Sequence, residues 1–266
     1  MDPAGTRVLV TGASRGIGEA IARAFAGAGA AVALVARSEA PLRSLADELG
    51  GGASAHPTDL LDQAQTATLM QRVEDEVGPV DILVNNAGIG AAGAFWELDA
   101  DEIERTVRLN LGVPLELCRQ AIPRMLRRRR GHLVNVASLA SVAAVPGMSH
   151  YAGTKAGIAH AASALRQELT GLPLGVTTVL VGGVPTDMLN EGEAGYEPYH
   201  RGFQRLRRIQ LVPDTPAPKL AAAVVDGVRK GRRVVYLPKR AAPFVALVET
   251  PRRMVDLLLA GVPKRA

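Results

Sequence analysis

Short apolar runs alternate with helical patterns along most of the chain. The first run, Arg7–Thr11, is mostly apolar, which is typical of a strand buried in a parallel sheet. Six further runs predict strands: Ala31–Ala36, Ala53–His56, Asp81–Asn85, His132–Ala137, Gly175–Val181 and Arg233–Leu237. Helical periodicity predicts helices between them: Glu19–Ala28, Pro41–Leu49, Gln63–Val77, Asp99–Leu111, Pro114–Arg130, Tyr151–Leu169 and Ala217–Arg229. This alternation predicts an α/β fold with a parallel sheet.

The alternation contains neither a linker nor an internal repeat. We therefore predict a single domain over residues 1–266, with a core at about 6–237. From about 189 to Pro213 the chain is rich in Gly, Glu and Arg, which indicates a flexible loop or a helical lid.

The C-terminal extension, at about 238–266, has an apolar helical pattern from Pro243 to Val262. Arg252, Arg253 and a Lys264-Arg265 pair add positive charge to it. Three interpretations stay open: a helix packed on the body, a subunit contact, or a helix lying in the plane of a membrane. We favour the first two over membrane association, because the apolar stripe is neither long nor strongly segregated from the charges.

Charge and composition narrow the function classes. The 266 residues carry a formal net charge of +5, which suits an anionic ligand, nucleic acid or an acidic membrane surface. Many arginines lie in two runs, Arg127–Arg130 and Arg201–Arg208, and such runs are usually solvated faces or helix ends. Aromatic residues make up only 3%, which disfavours base stacking. We therefore predict no nucleic-acid binding.

Cysteine content and the chain start bear on location. The single cysteine, Cys118, excludes an internal disulfide framework and a cysteine-based metal cluster, and we predict no metal site. The chain reaches its first strand within a few residues, without a charged-then-apolar leader. No apolar run is long enough to span a bilayer. The expected location is the cytoplasm.

A glycine-rich turn joins the first strand to the first helix. Its residues are Gly12, Ser14, Arg15, Gly16, Ile17 and Gly18. Glycine at the first position allows a tight turn, and the other two glycines allow close approach of a pyrophosphate and of the strand. The following helix offers free N–H groups to phosphates. Strand, glycine turn and helix together predict a dinucleotide site.

The end of the second strand predicts which dinucleotide binds. An acidic residue there would bind the ribose 2′-hydroxyl of NAD, but Arg37 and Ser38 follow the strand instead. Arg15 adds a second guanidinium, and such forked groups suit a 2′-phosphate. The alternative is that both arginines are ordinary surface residues. We predict NADP(H) in preference to NAD(H).

Two further segments are candidates for cofactor contacts. Asp59, followed by Leu60, lies after the third strand, where its carboxylate can accept from an adenine amino group. Asn86, Ala87 and Gly88 follow the fourth strand, and small residues at a strand's carboxyl end leave room for a cofactor.

Tyr151 and Lys155 lie four residues apart on a predicted helix, so their side chains are neighbours on one face. A nearby positive charge favours the phenolate and lowers its pKa from about 10, which predicts an acid/base centre. The alternative is a half-buried tyrosine beside a solvated lysine. Asn110, a polar residue in an apolar stretch, indicates either a structural hydrogen-bond network or a proton relay.

Several motifs in this order resemble the short-chain dehydrogenase/reductase family: Thr11-Gly-Ala-Ser-Arg-Gly-Ile-Gly18, Asn85-Asn-Ala-Gly88, Asn110, Ser138 and Tyr151-x-x-x-Lys155. The similarity runs from about residue 6 to residue 237. It implies a seven-stranded Rossmann fold, a three-layer doubly wound parallel sheet that binds NAD(P)(H). It also implies a catalytic tetrad of Asn110, Ser138, Tyr151 and Lys155.

The resemblance and the residue chemistry assign the same roles. Ser138 would hydrogen-bond the substrate oxygen, and Tyr151 would exchange a proton with it. Lys155 would lower the Tyr151 pKa and hold the nicotinamide ribose, and Asn110 would hold a water that connects Lys155 to solvent. The implied activity is interconversion of a carbonyl and an alcohol by hydride transfer.

Two positions depart from the family pattern. Val181 stands where a proline usually precedes Gly182, although Val184, Thr186 and Met188 match the segment that contacts nicotinamide. The helix reads Ala-Gly-Thr-Lys where Ala-Ser-Lys is usual. Both changes leave the tetrad intact.

The predicted substrate pocket is apolar. Its candidate residues are Ile89, Leu139, Ala140, Val145, Met148 and Leu189, with Met188 and a lid at Tyr196–Phe203. Because this set contains no fixed charge, we predict a lipophilic ketone or alcohol.

Other functions stay open at this stage. A nucleotide-binding regulatory or scaffold protein would keep the fold without turnover, but it has no need of the Tyr–Lys pair. A membrane or nucleic-acid binder would use the arginine runs and bind without NADPH. The resemblance also implies a homo-oligomer, a dimer or tetramer.

Overall fold

The computed structural model describes residues 1–90, 92–143, 146–185, 196–208 and 212–258. Its seven strands form one parallel sheet in the order β3-β2-β1-β4-β5-β6-β7. The strands are β1 Arg7–Thr11, β2 Ala31–Ala36, β3 Ser54–Pro57, β4 Ile82–Asn85, β5 Gly131–Ser138, β6 Leu174–Val181 and β7 Val234–Leu237. The predicted parallel sheet is confirmed, with strand ends within about two residues of those predicted.

Helices connect the strands, as expected for parallel pairing. They are α1 Gly16–Gly27, α2 Glu39–Leu49, α3 Gln63–Val77, α4 Ala100–Val107, α5 Val113–Arg127, α6 Ser149–Glu168, α7 Glu197–Arg208, α8 Ala217–Arg229 and α9 Ala242–Leu258. A π-helical segment, Arg108–Gly112, joins α4 to α5. The sequence predicts two separate helices here, whereas the backbone in the structure is helical throughout the junction.

The apolar side chains form a core on each face of the sheet. On one face Ile21, Phe25 and Leu220 pack against the strands, and on the other face Leu69 and Leu117 do so. Because β-strand side chains alternate between faces, strands that are apolar throughout bury both sides. The result is the predicted three-layer doubly wound arrangement.

Strand β1 lies between β2 and β4, so the chain winds in opposite directions on its two sides. In open α/β sheets, such a reversal leaves a crevice beyond the carboxyl ends of the strands, where ligands bind. The glycine turn follows β1, and Asn86 follows β4 at the same edge.

The C-terminal extension packs on the body of the protein through α9. Ala241 and Val245 join a buried cluster with Ile158 of α6 and Leu180 of β6. In the described part of the chain, none of the helices is long and apolar enough to cross a bilayer.

Candidate active site

The glycine turn has the backbone conformations that its sequence requires. Gly12 and Gly16 adopt φ values of 66° and 61°, the left-handed region that glycine enters without steric cost. A Cβ at Gly18 would meet the carbonyl oxygen of Gly12 and would lie 2.5 Å from Asn86 Nδ2. Glycine at position 18 therefore allows the start of α1 to approach the turn.

Hydrogen bonds from Thr11 and Asn86 join β1 to β4 at this edge. Thr11 Oγ1 accepts from the backbone N–H groups of Asn86 at 2.9 Å and Ala87 at 3.0 Å. Asn86 Nδ2 donates in return to the carbonyl oxygens of Thr11 at 2.9 Å and Gly12 at 3.3 Å. These bonds fix the two strand ends that form the centre of the crevice.

A cleft of about 720 Å³ runs along the carboxyl edge of the sheet. It brings together most residues predicted to hold the cofactor: Gly12, Ser14, Arg15, Gly16, Ile17, Gly18, Arg37, Ser38, Asp59, Leu60, Asn86, Ala87, Gly88, Tyr151, Lys155, Gly182 and Val184. Thr186 and Met188 lie outside the described residues. The glycine turn and the Tyr–Lys pair therefore line one continuous cleft.

Exposed Arg37 and Ser38 occupy the junction between β2 and α2 and line the cleft with Arg15. Asp59 follows β3, the strand that pairs with β2, and its Oδ1 accepts from the backbone N–H of Leu61 at 3.0 Å. This bond orients the carboxylate along the cleft wall.

Tyr151 and Lys155 lie in the first turns of α6, which begins two residues earlier than predicted. The ring of Tyr151 lies close to Gly90, where a Cβ would be 2.7 Å from Tyr151 Cδ2. Lys155 Nζ donates to the carbonyl oxygen of Val136 at 3.0 Å and lies 5.7 Å from the centroid of the Tyr151 ring. Ser138, at the end of β5, lines the same cleft as Tyr151.

Burial shifts both ionisable groups toward their neutral forms. It raises the pKa of the Tyr151 phenol, and the nearby Ser138 hydroxyl partly offsets that rise. It lowers the pKa of the Lys155 ammonium to about 8. Burial is therefore the largest influence on the Tyr151 pKa, and it opposes the lowering that we expected from Lys155.

Asn110 lies in the π-helical segment and holds the chain after β4. Its Oδ1 accepts from Ile89 N at 2.9 Å, and its Nδ2 donates to Ile89 O at 2.7 Å and to Thr154 Oγ1 at 3.3 Å. Thr154 Oγ1 donates in turn to the carbonyl oxygen of Tyr151 at 2.7 Å. The Asn110 side chain thus belongs to a network that links Ile89, Thr154 and the backbone of Tyr151.

Apolar side chains surround the rest of the cleft. The predicted pocket residues Ile89, Leu139, Ala140 and Met148 line it, whereas Val145 and Leu189 lie outside the described residues. The predicted lid contains helix α7, from which Tyr199 and Phe203 reach the cleft with their rings stacked at 5.6 Å. The described part of this segment, residues 196–208, is helical from Glu197 to Arg208.

Sequence reasoning missed part of the lining. Arg105 of α4 also lines the cleft and adds a fixed charge that the predicted set of pocket residues does not contain. No local pattern in the sequence marks this position. Ala241 and Phe244 reach the cleft from the C-terminal extension, and no local pattern marks them.

Comparison with known proteins gives a match to one family over most of the chain. A family model described as short chain dehydrogenase matches residues 6–197. The chain belongs to the short-chain dehydrogenase family. This match spans the glycine turn, Asn110, Ser138 and the Tyr151–Lys155 pair.

Similar proteins include reductases and an NADPH complex. The ketoacyl reductase HetN of Nostoc sp. strain PCC 7120 is 41% identical over 183 residues, which cover 68% of this chain and 64% of HetN. The 3-oxoacyl-(acyl-carrier-protein) reductase FabG of Escherichia coli K12 is 32% identical over 219 residues, covering 82% of this chain and 85% of FabG. A short-chain dehydrogenase from Sphingobium yanoikuyae in complex with NADPH matches at TM-score 0.80 and 28% identity, covering 98% of both chains.

The structure shows what surrounds the two positions that depart from the usual short-chain dehydrogenase pattern. Val181 ends β6, and its carbonyl oxygen accepts from Ser138 Oγ at 3.3 Å. Gly182 N donates to Leu237 O at 2.8 Å, and a Cβ at Gly182 would lie 2.8 Å from Pro238 Cδ. Gly153 has open space where a Cβ would point. With both changes present, Ser138, Tyr151 and Lys155 still line the cleft.

Proposed function

We propose that the protein is an NADP(H)-dependent oxidoreductase that interconverts a carbonyl and an alcohol by hydride transfer. The observation that carries this proposal is the meeting of Ser138, Tyr151 and Lys155 in the same cleft as the glycine turn. A protein that only binds nucleotide has no use for a phenol and a serine hydroxyl that share the cleft with a buried ammonium.

The cleft fits a dinucleotide. The turn at Gly12 and the first residues of α1 present backbone N–H groups where a pyrophosphate would lie. Gly88 leaves a narrow space near the tetrad, where a Cβ would be 3.0 Å from Asn110 Oδ1 and 3.4 Å from Lys155 Nζ. When bound, the nicotinamide supplies or accepts a hydride at the reacting carbon.

The proposed proton transfer uses Tyr151. Its raised pKa keeps the phenol protonated near neutral pH, so it can donate to a carbonyl oxygen that becomes an alkoxide. Ser138 would hydrogen-bond the same oxygen, and Lys155 would stabilise the phenolate that remains. In the oxidative direction the phenolate would take the proton from the alcohol. Asn110 would keep Ile89 and Thr154 in place around this centre.

Three features support a preference for NADP(H). Arg37 and Ser38 occupy the position after β2 where an acidic residue would favour NAD(H), and Arg15 lines the same part of the cleft. Guanidinium groups suit a 2′-phosphate because they combine a fixed charge with paired N–H donors. The NADPH complex of a similar short-chain dehydrogenase is consistent with this choice.

The lining supports a lipophilic substrate. Leu139, Met148, Phe203 and Phe244 contribute apolar surface beyond the catalytic groups, and such pockets favour apolar ligands. Arg105 is the exception on the wall, and it would accept a substrate that carries one polar or anionic group.

Homo-oligomer formation is part of the proposal. Val107 of α4 and Leu115 of α5 are exposed by 43% and 38%, which offers apolar surface for a subunit contact. Sedimentation velocity would test this: a species that stays monomeric at micromolar concentration would contradict it.

The test of function is NADPH oxidation followed by absorbance with a panel of lipophilic and polar carbonyls. NADH and the variant Tyr151→Phe run alongside. We expect turnover that prefers NADPH and lipophilic ketones and is lost in Tyr151→Phe. Equal turnover with NADH would contradict the role of Arg37 and Arg15, and preference for a charged polyol would contradict the substrate class. Binding of NADPH with no turnover of any carbonyl would favour a regulatory or scaffold protein.

A further inference from the structure

Helix α7 carries four arginines, yet it also places two aromatic rings in the cleft. Tyr199 and Phe203 are buried and lie one helical turn apart on the same face. With Val212 they form a small buried cluster, separate from the large cores on the two faces of the sheet. Elements with few buried apolar contacts open locally at low free energy, so any further contact to the body matters for where these rings lie.

Arg207 connects α7 to the segment that precedes α8. Its Nη2 donates to Asp214 Oδ1 at 2.8 Å, and the two side chains are 24% and 49% exposed. The guanidinium carbon of Arg207 also lies 4.8 Å from the centroid of the Phe203 ring, within the range of a cation–π contact. One guanidinium group therefore contacts both the carboxylate outside α7 and the ring that lines the cleft.

The Asp214 side chain lies against the loop that follows β6. The next residue, Thr215, is buried, and its backbone N–H donates to Gly183 O at 2.8 Å. A Cβ at Gly183 would lie 3.4 Å from Asp214 Oδ1 and 3.2 Å from Phe203 Cζ, so the carboxylate and the ring both approach this glycine. Gly183 itself lines the cleft. The ion pair therefore holds the Phe203 ring against the backbone that follows β6.

We propose that the Arg207–Asp214 ion pair, which we call the α7 clasp, positions Phe203 as a wall of the cleft and thereby influences which carbonyl compounds bind. The residues that line the described cleft include Phe203 but neither member of the clasp, so both members act through the ring as positioning residues. A bulky apolar substrate fills more of the cleft than a small one and depends more on this wall. The effect on substrate rests on the proposed function, whereas the attachment of α7 by the clasp does not.

The alternative is that the clasp is an exposed ion pair without measurable effect, as many surface pairs are. The pair of Glu197 and Arg201 on α7 is of that kind, since its side chains are 62% and 74% exposed and both belong to the same helix. Arg207, in contrast, is less exposed, packs on a buried ring and reaches a residue beyond α7. These differences favour an attachment of the helix to the body.

The first test is amide hydrogen exchange of the full chain without cofactor, followed by mass spectrometry over residues 197–208. Asp214→Asn removes the negative charge of the clasp and keeps the size of the side chain. We expect the α7 amides to exchange about fivefold faster, because a weaker contact to the body makes local opening more frequent. Asp226→Asn is the matched control, since this carboxylate of α8 pairs with Arg232 at 3.0 Å, and α7 should then exchange as in the parent.

The second test separates positioning of the ring from a general loss of structure. In Asp214→Asn, the KM for the bulkiest lipophilic carbonyl that the parent reduces should rise by about fivefold. The kcat, the Kd for NADPH and the KM for the smallest carbonyl should stay within about twofold, because the clasp contributes to binding of the larger substrate alone. Asp214→Glu keeps the negative charge and should recover most of the parental KM.

Parental exchange of α7 in Asp214→Asn, or equal acceleration in Asp226→Asn, would overturn the clasp. Faster exchange with an unchanged KM for every carbonyl would overturn its effect on substrate binding, as would equal losses of kcat and NADPH binding. If the parent turned over none of the carbonyls, the proposed function would fail, and the exchange measurement would still decide whether the clasp holds α7.

Discussion

Burial disfavours the positive charge of Lys155, which the proposed proton transfer uses. The ammonium is 5% exposed, and its partner in the described structure is a neutral carbonyl oxygen, that of Val136. Its pKa is lowered to about 8, against about 10.4 for a free lysine. The protein therefore keeps a buried cation at neutral pH at a cost in stability, which is common for groups held in place for function.

This cost predicts a pH dependence of folding. Between pH of about 8 and about 10 the unfolded chain binds more protons at this lysine than the folded chain does, so its contribution to the free energy of unfolding rises with pH. In Lys155→Met this rise should be absent. The difference in the free energy of unfolding between the variant and the parent should therefore change by at most about 3 kcal/mol between pH of about 8 and about 10. Urea unfolding at pH 7.5 and 9.5 measures it. Lys230→Met, on the surface, is the control, and an unchanged pH dependence in Lys155→Met would contradict the burial argument.

The arginine after β2 predicts cofactor selectivity. Arg37→Gln should weaken NADPH binding by about ten- to a hundredfold, because it removes charge-assisted hydrogen bonds worth about 1.5–3 kcal/mol, and should leave NADH binding nearly unchanged. Fluorescence titration with both cofactors measures this difference. Arg43→Gln, in α2 and paired with Glu39, is the matched control. Equal losses for NADPH and NADH in Arg37→Gln would show that the residue does not recognise the 2′-phosphate.

At the scale of elements, α6 carries two catalytic candidates and a glycine between them. Gly153 is exposed, and a Cβ there would have nothing within 4 Å. Glycine within a helix costs about 0.5–1 kcal/mol relative to alanine, chiefly through the entropy of the unfolded chain. The usual family sequence places alanine at this position.

Gly153→Ala should therefore raise the free energy of unfolding by about 0.5–1 kcal/mol and leave cofactor binding intact. Chemical denaturation measures the change. Gly18→Ala is the opposing case, since its Cβ would meet the Gly12 carbonyl, and it should lose both stability and NADPH binding. A destabilised Gly153→Ala would mean that α6 does not tolerate a side chain at the site.

The π-helical junction between α4 and α5 makes a second prediction at this scale. Asn110→Ala removes both hydrogen bonds to the half-buried Ile89 backbone, each worth about 0.5–1.5 kcal/mol, and should cost about 1–3 kcal/mol of stability. Activity should fall with it, because Ile89 lines the cleft. Thr154→Ser keeps the hydroxyl that accepts from Asn110 and should retain both the stability and the activity of the parent. Urea unfolding and turnover compare the two variants, and a fully stable Asn110→Ala would contradict the anchoring role.

Across the whole molecule, the helices and strands that the sequence predicted correctly are those with local signals such as caps and apolar runs. Strands β1 and β2 and helices α3 and α8 begin and end at the predicted residues. Asp62, for example, caps α3 by accepting from the backbone N–H groups of Ala64 and Gln65. The cofactor half of the cleft was equally predictable, because the glycine turn and the residues after β2 and β4 are consecutive in sequence.

Contacts between distant segments explain what the sequence did not predict. Arg105 and Phe244 reach the same cleft from α4 and α9, and their positions depend on helix packing that no local pattern encodes. The raised pKa of Tyr151 likewise follows from burial by the folded chain rather than from its spacing to Lys155. The lining of the cleft by distant helices is therefore the feature that the sequence predicted least well.

The central claim is that Tyr151 transfers the proton in a hydride-transfer reaction within this cleft. The most direct measurement is a single-turnover absorbance trace of bound NADPH with the best carbonyl of the panel, for the parent and for Tyr151→Phe. We expect the variant to bind NADPH as the parent does and to oxidise it more slowly by about a hundredfold or more, as for loss of a general acid. Oxidation at the parental rate in Tyr151→Phe would contradict the claim.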